Sequence, residues 1–348
     1  MNEIEGKKRQ TVFSWAANTW KTQLLFSTAI ALLVMIVLQT LALGFDFDSV
    51  GAWFQLWLQN WVNILRNNSG IGIIALGMTF VIISGGIDLA VGSTLVVVGA
   101  FVMMLIDSGP KGILLNMGIT GVPAYIIAIL LGMALGALLG SITGLLITRG
   151  KLPPFIATLG TMKIFRSATQ HFMQGYTPAV PKSFLSIASL EIGGQLLMPI
   201  IYWGILAILL YVISTRTTFG RQVIAVGSNE RATKLSGVNV NRVKLRIYSL
   251  MGLLVSVSAI LQVSRIGSMD YANAGSGYEM DAISAVIVGG TSMAGGKGTI
   301  IGTVLGTLII AVMNNLLNLI GVPPFLREAF KGVIVIGAVL LQKKDDNS

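Results

Sequence analysis

Residues 122–148 read VPAYIIAILLGMALGALLGSITGLLIT, without one charged side chain. An α-helix needs roughly 20 consecutive apolar residues to cross a bilayer, and this run is longer. Gly132, Gly136, Gly140 and Gly144 recur at every fourth position. That spacing places them in one smooth line along a helix, where a second helix can approach closely. The ten-residue alternation of a membrane β-barrel is absent. The stretch decides the class: an all-α polytopic membrane protein.

Working outward, the whole chain of 348 residues supports this reading. It is 54% hydrophobic and 11% charged, far from the averages of soluble domains. Its net charge of +10 would suit a nucleic acid, but the basic residues gather in the amino-terminal tail, short loops and the carboxyl end. That is the positive-inside pattern of membrane proteins, so no nucleic-acid partner is expected. Cysteine is absent, which excludes disulfides and thiolate ligands, and the single His171 makes no metal site alone. No cofactor is expected.

Ten spans are predicted, with both termini on the cytoplasmic side. A basic tail, 1–22, carries Trp15 and Trp20 and leads into an uncleaved first span, 24–43, with Asp46 and Asp48 outside. The segment GAWFQLWLQNWVNILRN, 51–67, sets Trp53, Trp57 and Trp61 on one helical face. Anchoring in the headgroup layer is favoured for it over an aromatic platform for a sugar. Further spans follow at 70–84, 89–106, 122–148 and 154–172. A polar outer loop, 173–195, precedes span 196–214. The sequence continues with 247–264, an outer loop at 266–279, a short piece at 280–290, then 299–320 and 324–342. A single transmembrane domain thus covers 23–342, with a short cytoplasmic tail at 343–348.

The segment 154–172, PFIATLGTMKIFRSATQHF, is the least apolar of these. Lys163 and Arg166 would each cost about 2.5–3.5 kcal/mol at mid-bilayer, so this span faces protein or a watery cavity. Two Gly-rich breaks, SGGIDLAVGS at 84–93 and GGTSMAGGKGT at 289–299, interrupt other spans. Non-helical backbone at membrane depth needs protein or water beside it, as in the broken helices of transporters. The second break is not a phosphate loop, because Thr291 and Gly298 stand where Gly and Ser or Thr are required. Asp88 and Asp281 share no local pattern of a carboxylate dyad and read instead as acids near helix starts. Phe155, Thr158, Asn314 and Asn315, with Asp88, are candidates for the translocation path. Gly298, Gly302 and Gly306 repeat the packing ridge. Gln262 is a further polar residue within a span.

The longest polar interruption is FGRQVIAVGSNERATKLSGVNVNRVKLR, 219–246, within a cytoplasmic loop at 216–246. It carries Arg221, Arg231, Lys234, Arg242, Lys244 and Arg246 against Glu230 alone. Asn229 is placed to cap a short helix, Ala232 and Leu235 form an apolar patch on it, and Gly237 ends it. A solvated positive-inside loop and a docking site for a soluble partner both fit these residues.

Four ordered motifs resemble the permease subunits of ATP-binding cassette importers of the ribose, xylose and galactose class. They are ALGMTFVIISGGIDLAVGS (75–93), LPPFIATLGTM (152–162), FGRQVIAVGSNERATKLSGVNV (219–240) and DAISAVIVGGTSMAGGKGTIIGTVLG (281–306). The resemblance covers about 62–342. It implies a many-helix importer fold, two permease copies around a central path, a separate cytoplasmic ATPase and an external sugar-binding protein, in a bacterial cytoplasmic membrane. It places the ATPase-coupling helix on Ser228, Asn229, Glu230, Arg231, Ala232, Thr233, Lys234, Leu235, Ser236 and Gly237. Thr233 departs from the second small alanine of many relatives, and the Trp-rich 51–61 departs as well. Nucleosides or a furanose-like signal remain alternative cargoes. A self-contained secondary transporter and a membrane enzyme are the rival classes; only Lys163 and Arg166 offer ion coupling, and no nucleophile–base set exists.

Overall fold

The computed structural model describes residues 24–44 and 49–346. The expected tail 1–22, with Trp15 and Trp20, and the loop acids Asp46 and Asp48 lie outside the described residues. Ten helical elements correspond to the ten expected spans: α1 (Leu24–Ala42), α2 (Val50–Ile83), α3 (Val91–Ile106), α5 (Gly121–Thr148), α6 (Pro154–Met173), α8 (Met198–Arg216), α11 (Val240–Ile266), α12 (Tyr278–Val288), α13 (Ile300–Leu319) and α14 (Pro324–Asp346). Shorter helices connect them: α4 (Ile113–Asn116), α7 (Lys182–Ser189), α9 (Thr218–Ser228) and α10 (Glu230–Leu235). By length and composition alone, α2, α5, α8, α11 and α13 can each cross a membrane.

Helix α11 is the centre of the fold. Its Tyr248, Met251, Leu254 and Val255 are fully buried among α2, α3 and α5. The glycine line of α5 lies against it. A Cβ on Gly140 would overlap the Tyr248 carbonyl, and one on Gly136 would stand 2.5 Å from the Gly252 carbonyl. Gly132 meets Val102 of α3 and Gly144 meets Leu245. Within a bilayer, water supplies no hydrophobic drive between helices, so such close van der Waals approach is what holds the pair. The opposite face of α5 exposes Ile126, Leu130, Leu138 and Ile142, side chains compatible with lipid. In the later ridge, Gly302 and Gly306 seat α13 against the backbone of α12 at Gly289 and Ala285. Gly298 precedes α13 and packs on Thr291 and Ile83.

Three expected segments gain detail in the structure. The Trp-rich segment does not form a separate interfacial helix, because α2 runs unbroken from Val50 to Ile83. At 1.5 Å per residue it is about 51 Å long and outreaches the hydrocarbon layer. Its tryptophans lie along α1: Trp53 Nε1 donates to the Gly44 carbonyl (3.1 Å) and Trp57 Nε1 to Thr40 Oγ1 (3.2 Å). The three tryptophans are half-buried there, while Phe54, Leu56 and Leu58 of the same segment stay exposed. The outer loop at 173–195 holds structure of its own, α7 and a two-residue hairpin, β1 (Glu191–Ile192) with β2 (Gln195–Leu196). Phe184 of α7 is fully buried against Tyr125. Finally, α14 continues through Asp346, so most of the expected tail at 343–348 is helical.

Candidate functional site

On the loop side of the bundle, α8 turns into α9 and then into the short α10. Thr217 caps α9 through the Gly220 amide (3.3 Å), and Asn229 caps α10 through the Ala232 amide (2.9 Å). Gly237, at φ +84°, ends α10 in a conformation that only glycine adopts without strain. There its amide reaches the Lys234 carbonyl (3.1 Å) while the Val238 amide reaches Thr233 (3.3 Å). Asn239 then starts α11 by accepting from the Arg242 amide (3.0 Å).

These caps hold α10 in one orientation. Thr233 faces inward: it is buried, its hydroxyl 2.8 Å from the Ala225 carbonyl and 2.7 Å from that of Asn229. The expected coupling set therefore divides, because Thr233 serves as an internal brace and not as surface. Glu230 is tied to α11 by Lys244 (2.7 Å). What remains outward is Arg231, Ala232, Lys234, Ser236 and above all Leu235, whose side chain is 89% exposed. Leu235 is thus the large apolar side chain that α10 turns to solvent, with Arg231 and Lys234 exposed on the same short helix. Ser228 turns its hydroxyl back onto the Ile224 carbonyl (2.9 Å).

Among the path candidates, the structure separates inward from outward residues. Thr158 is fully buried, bonded to the Pro154 carbonyl of its own helix (2.9 Å). Asp88 is buried and accepts from the Ala90 amide (2.9 Å), which turns the chain into α3. Asn315 is taken by Gln39 Nε2 of α1 (2.7 Å), and Asn314 is half-buried beside it. Gln262 accepts from the Tyr278 hydroxyl (3.3 Å). Of the five candidates only Phe155 stands on an open face. Asp281 forms an ion pair with Lys331 of α14 (2.7 Å), so it and Asp88 have separate partners.

Beside Lys163, which the sequence singles out, the open face of α6 carries polar residues that it does not. Gly160, Lys163, Ser167 and Gln170 fall at i, i+3, i+7 and i+10, and all four are exposed. The periodicity was available in the sequence, but it did not say which face of α6 turns outward. Arg166, half-buried at the edge of this stripe, donates from Nη1 to the Ala274 carbonyl (2.6 Å) and lies 3.4 Å from that of Tyr271. It pins the non-helical stretch leading into α12, whose Gly275 is wedged against Gly92 at the start of α3. Helix α12 itself has 11 residues, about 16 Å, and cannot cross alone. The segment expected at 280–290 is thus a short helix flanked by irregular backbone, in which Met269, Gly275, Gly289 and Thr291 are buried.

Comparison with known proteins accounts for this architecture. The family described as branched-chain amino acid transport system / permease component matches residues 60–339. The ribose import permease protein RbsC of Escherichia coli strain K12 is 40% identical over 322 residues, covering 90% of this chain and 92% of the relative. RbsC of Bacillus subtilis strain 168 is 43% identical over 303 residues, 82% of this chain and 85% of its own. The galactose/methyl galactoside import permease protein MglC of Escherichia coli strain K12 is 37% identical over 296 residues, 82% and 87% respectively. No solved structure matches. The chain belongs to this family of transport permeases, a multi-pass membrane protein whose relatives include sugar importers.

Proposed function

We propose that this chain is the membrane subunit of an ATP-driven importer and forms the path for a monosaccharide, a pentose or hexose, handed over by an external binding protein. Hydrolysis belongs to a separate cytoplasmic ATPase, which docks on α10. The observation that carries this reading is the exposed Leu235 on a helix fixed by Asn229, Thr233, Gly237 and the Glu230–Lys244 pair. A free loop would have no reason to be braced from four directions while holding an apolar side chain in water.

The path itself runs along the outward stripe of α6, between two copies of the chain. Lys163 in lipid would cost about 2.5–3.5 kcal/mol at mid-bilayer, whereas facing a watery path it costs far less. Lys163, Ser167 and Gln170 offer donors and acceptors to sugar hydroxyls, and none is a carboxylate that a neutral sugar would leave unpaired. The cytoplasmic side is the side of α10, where the Arg and Lys of 216–246 gather.

Reconstitution in vesicles tests the reading. Purified chain with its ATPase and binding protein should take up sugar only with ATP inside the ATPase compartment. Uptake by this chain alone, driven by an ion gradient, would overturn it. A panel of pentoses, hexoses and nucleosides titrated against the binding protein then identifies the cargo.

A further inference from the structure

Immediately before α10 the chain enters a contact made mostly of backbone. The end of α9 at Gly227 and Ser228, the end of α2 at Ile83, and the turn at Gly295–Gly296 between α12 and α13 meet there. A Cβ on Gly227 would overlap the Ile83 carbonyl oxygen and stand 2.6 Å from the Gly296 amide nitrogen. That amide donates to the Ile83 carbonyl at 2.8 Å. A Cβ on Gly296 would stand 2.5 Å from Ser228 Oγ and 2.9 Å from its Cα. Gly295 and Gly296 both have positive φ, +85° and +74°, so the turn is open only to glycine on two counts.

Each of the three segments leads somewhere different. Ser228 is followed by Asn229, the cap of α10. Ile83 is followed by the first Gly-rich break and then α3, while the 295–296 turn is the second break and feeds α13. The same turn is joined rigidly to its flanks, since Gly289 and Gly302 also meet backbone to backbone. Two breaks about 200 residues apart in sequence therefore touch at one point, three residues before α10 begins at Glu230.

We infer that this Gly227–Ile83–Gly296 junction is a rigid transmission element, carrying displacement of α10 to both broken helices at once. Contacts between side chains have rotamer freedom that absorbs small displacements; backbone packed on backbone has none, and packed interfaces respond as units. Gly227, Gly295 and Gly296 are thus positioning residues for transport, an inference that rests on docking of the ATPase at α10.

Gly227→Ala is the direct test, in the complete reconstituted importer with ATPase and binding protein. The expected result is an assembled complex that still hydrolyses ATP but loses uptake about tenfold, in the usual range of coupling between sites. Gly204→Ala, where the structure leaves open space, is the control and should transport normally. Wild-type uptake per ATP in Gly227→Ala would overturn the junction. If Leu235→Asp also left uptake unchanged, the docking reading would fail with it; if Leu235→Asp alone abolished uptake, only the junction would be wrong. Should Gly227→Ala not assemble, nitroxides on Ser228→Cys and Met293→Cys decide, and the absence of native cysteine leaves these as the labelled positions of this chain. Dipolar broadening should be the same in nucleotide-free and ATP-trapped complex. A change between those states would mean that the junction opens, and would refute it.

Discussion

The two ends of the molecule tie distant loops together by opposite means. On the α10 side, Ile83, Gly227 and Gly296 meet through backbone, with no side chain between them. On the other side, Asp107 gathers the loop after α3 and the loop after α6 with its carboxylate. Oδ2 accepts from the Tyr176 hydroxyl (2.6 Å), and Oδ1 from the amides of Ala179 (2.8 Å) and Gly109 (2.9 Å). Ser108 adds its amide and hydroxyl to the Ala179 carbonyl. The first arrangement tolerates no added atom; the second tolerates rearrangement and depends on one charge. Rigid contact suits the end where we propose that an ATPase pushes, and an adaptable clamp suits the end where a soluble binding protein would come and go.

The largest effect is expected where the first end meets its partner. Truncating or charging an apolar anchor at an interface costs about 2 kcal/mol or more, roughly 30-fold in affinity. Leu235→Asp should therefore release the ATPase, with sugar uptake collapsing while the chain still inserts; co-purification of ATPase and permease checks it. Unchanged co-purification would remove Leu235 from the contact.

Between the two ends, Lys163→Leu should lower sugar uptake several-fold, an effect of about 1 kcal/mol on passage, while co-purification of the ATPase stays intact. Initial uptake rates at saturating binding protein measure this. A variant as active as the parent would show that the α6 stripe is not in the path.

Gly140→Ala separates backbone contact from mere helix packing. A methyl placed on the Tyr248 carbonyl should cost about 1–3 kcal/mol, as overpacking does. The shift appears as a lower melting temperature in detergent, while Gly204→Ala in open space should hold or slightly raise it. Equal melting of both variants would mean that α5 and α11 can part at no cost.

Asp107→Asn should be milder, about 1.5 kcal/mol for weakened hydrogen bonds to a charged group, and confined to the outer loops. Burial works against the ionised Asp107, but its hydrogen bonds from Tyr176, Gly109 and Ala179 outweigh it and hold the carboxyl below its usual range. A carboxyl lowered in the folded state stabilises fully above its unfolded value, about 3.9, and that contribution fades as pH falls through the lower folded value. Proteolysis of the loops should therefore rise only in strong acid for the parent chain, and at every pH for Asp107→Asn. Equal cleavage at neutral pH would show that the clamp is not what orders them.

Much of the site is legible in the sequence alone. Asn229 and Gly237 mark the ends of α10 because a cap needs a side-chain acceptor at one end and a left-handed backbone at the other. The four-residue spacing of Gly132 to Gly144 marks a seam because the α-helix repeats every 3.6 residues. Facing was not legible. Thr233 and Leu235 sit two positions apart on a six-residue helix, and nothing local says that one is buried and the other open. In α6, Thr158 reads as polar as Ser167, yet one packs inward and the other lies on the open stripe. The spacing of Trp53, Trp57 and Trp61 gives their shared face, but not that Trp53 and Trp57 bond to Gly44 and Thr40.

The amino-acid sequence by itself determined the class, the order of the helical elements, where along the chain positive charge gathers, and the caps of α10. These follow from local periods, transfer energies and backbone preferences, which act within a few residues. Only the tertiary structure decided that α2 is one helix with its tryptophans on α1, that α12 is a short helix behind an Arg166-held turn, and that Ile83, Gly227 and Gly296 share one point. Those depend on which long-range backbone contacts can close, and a glycine shows that room has been left without saying what comes to fill it.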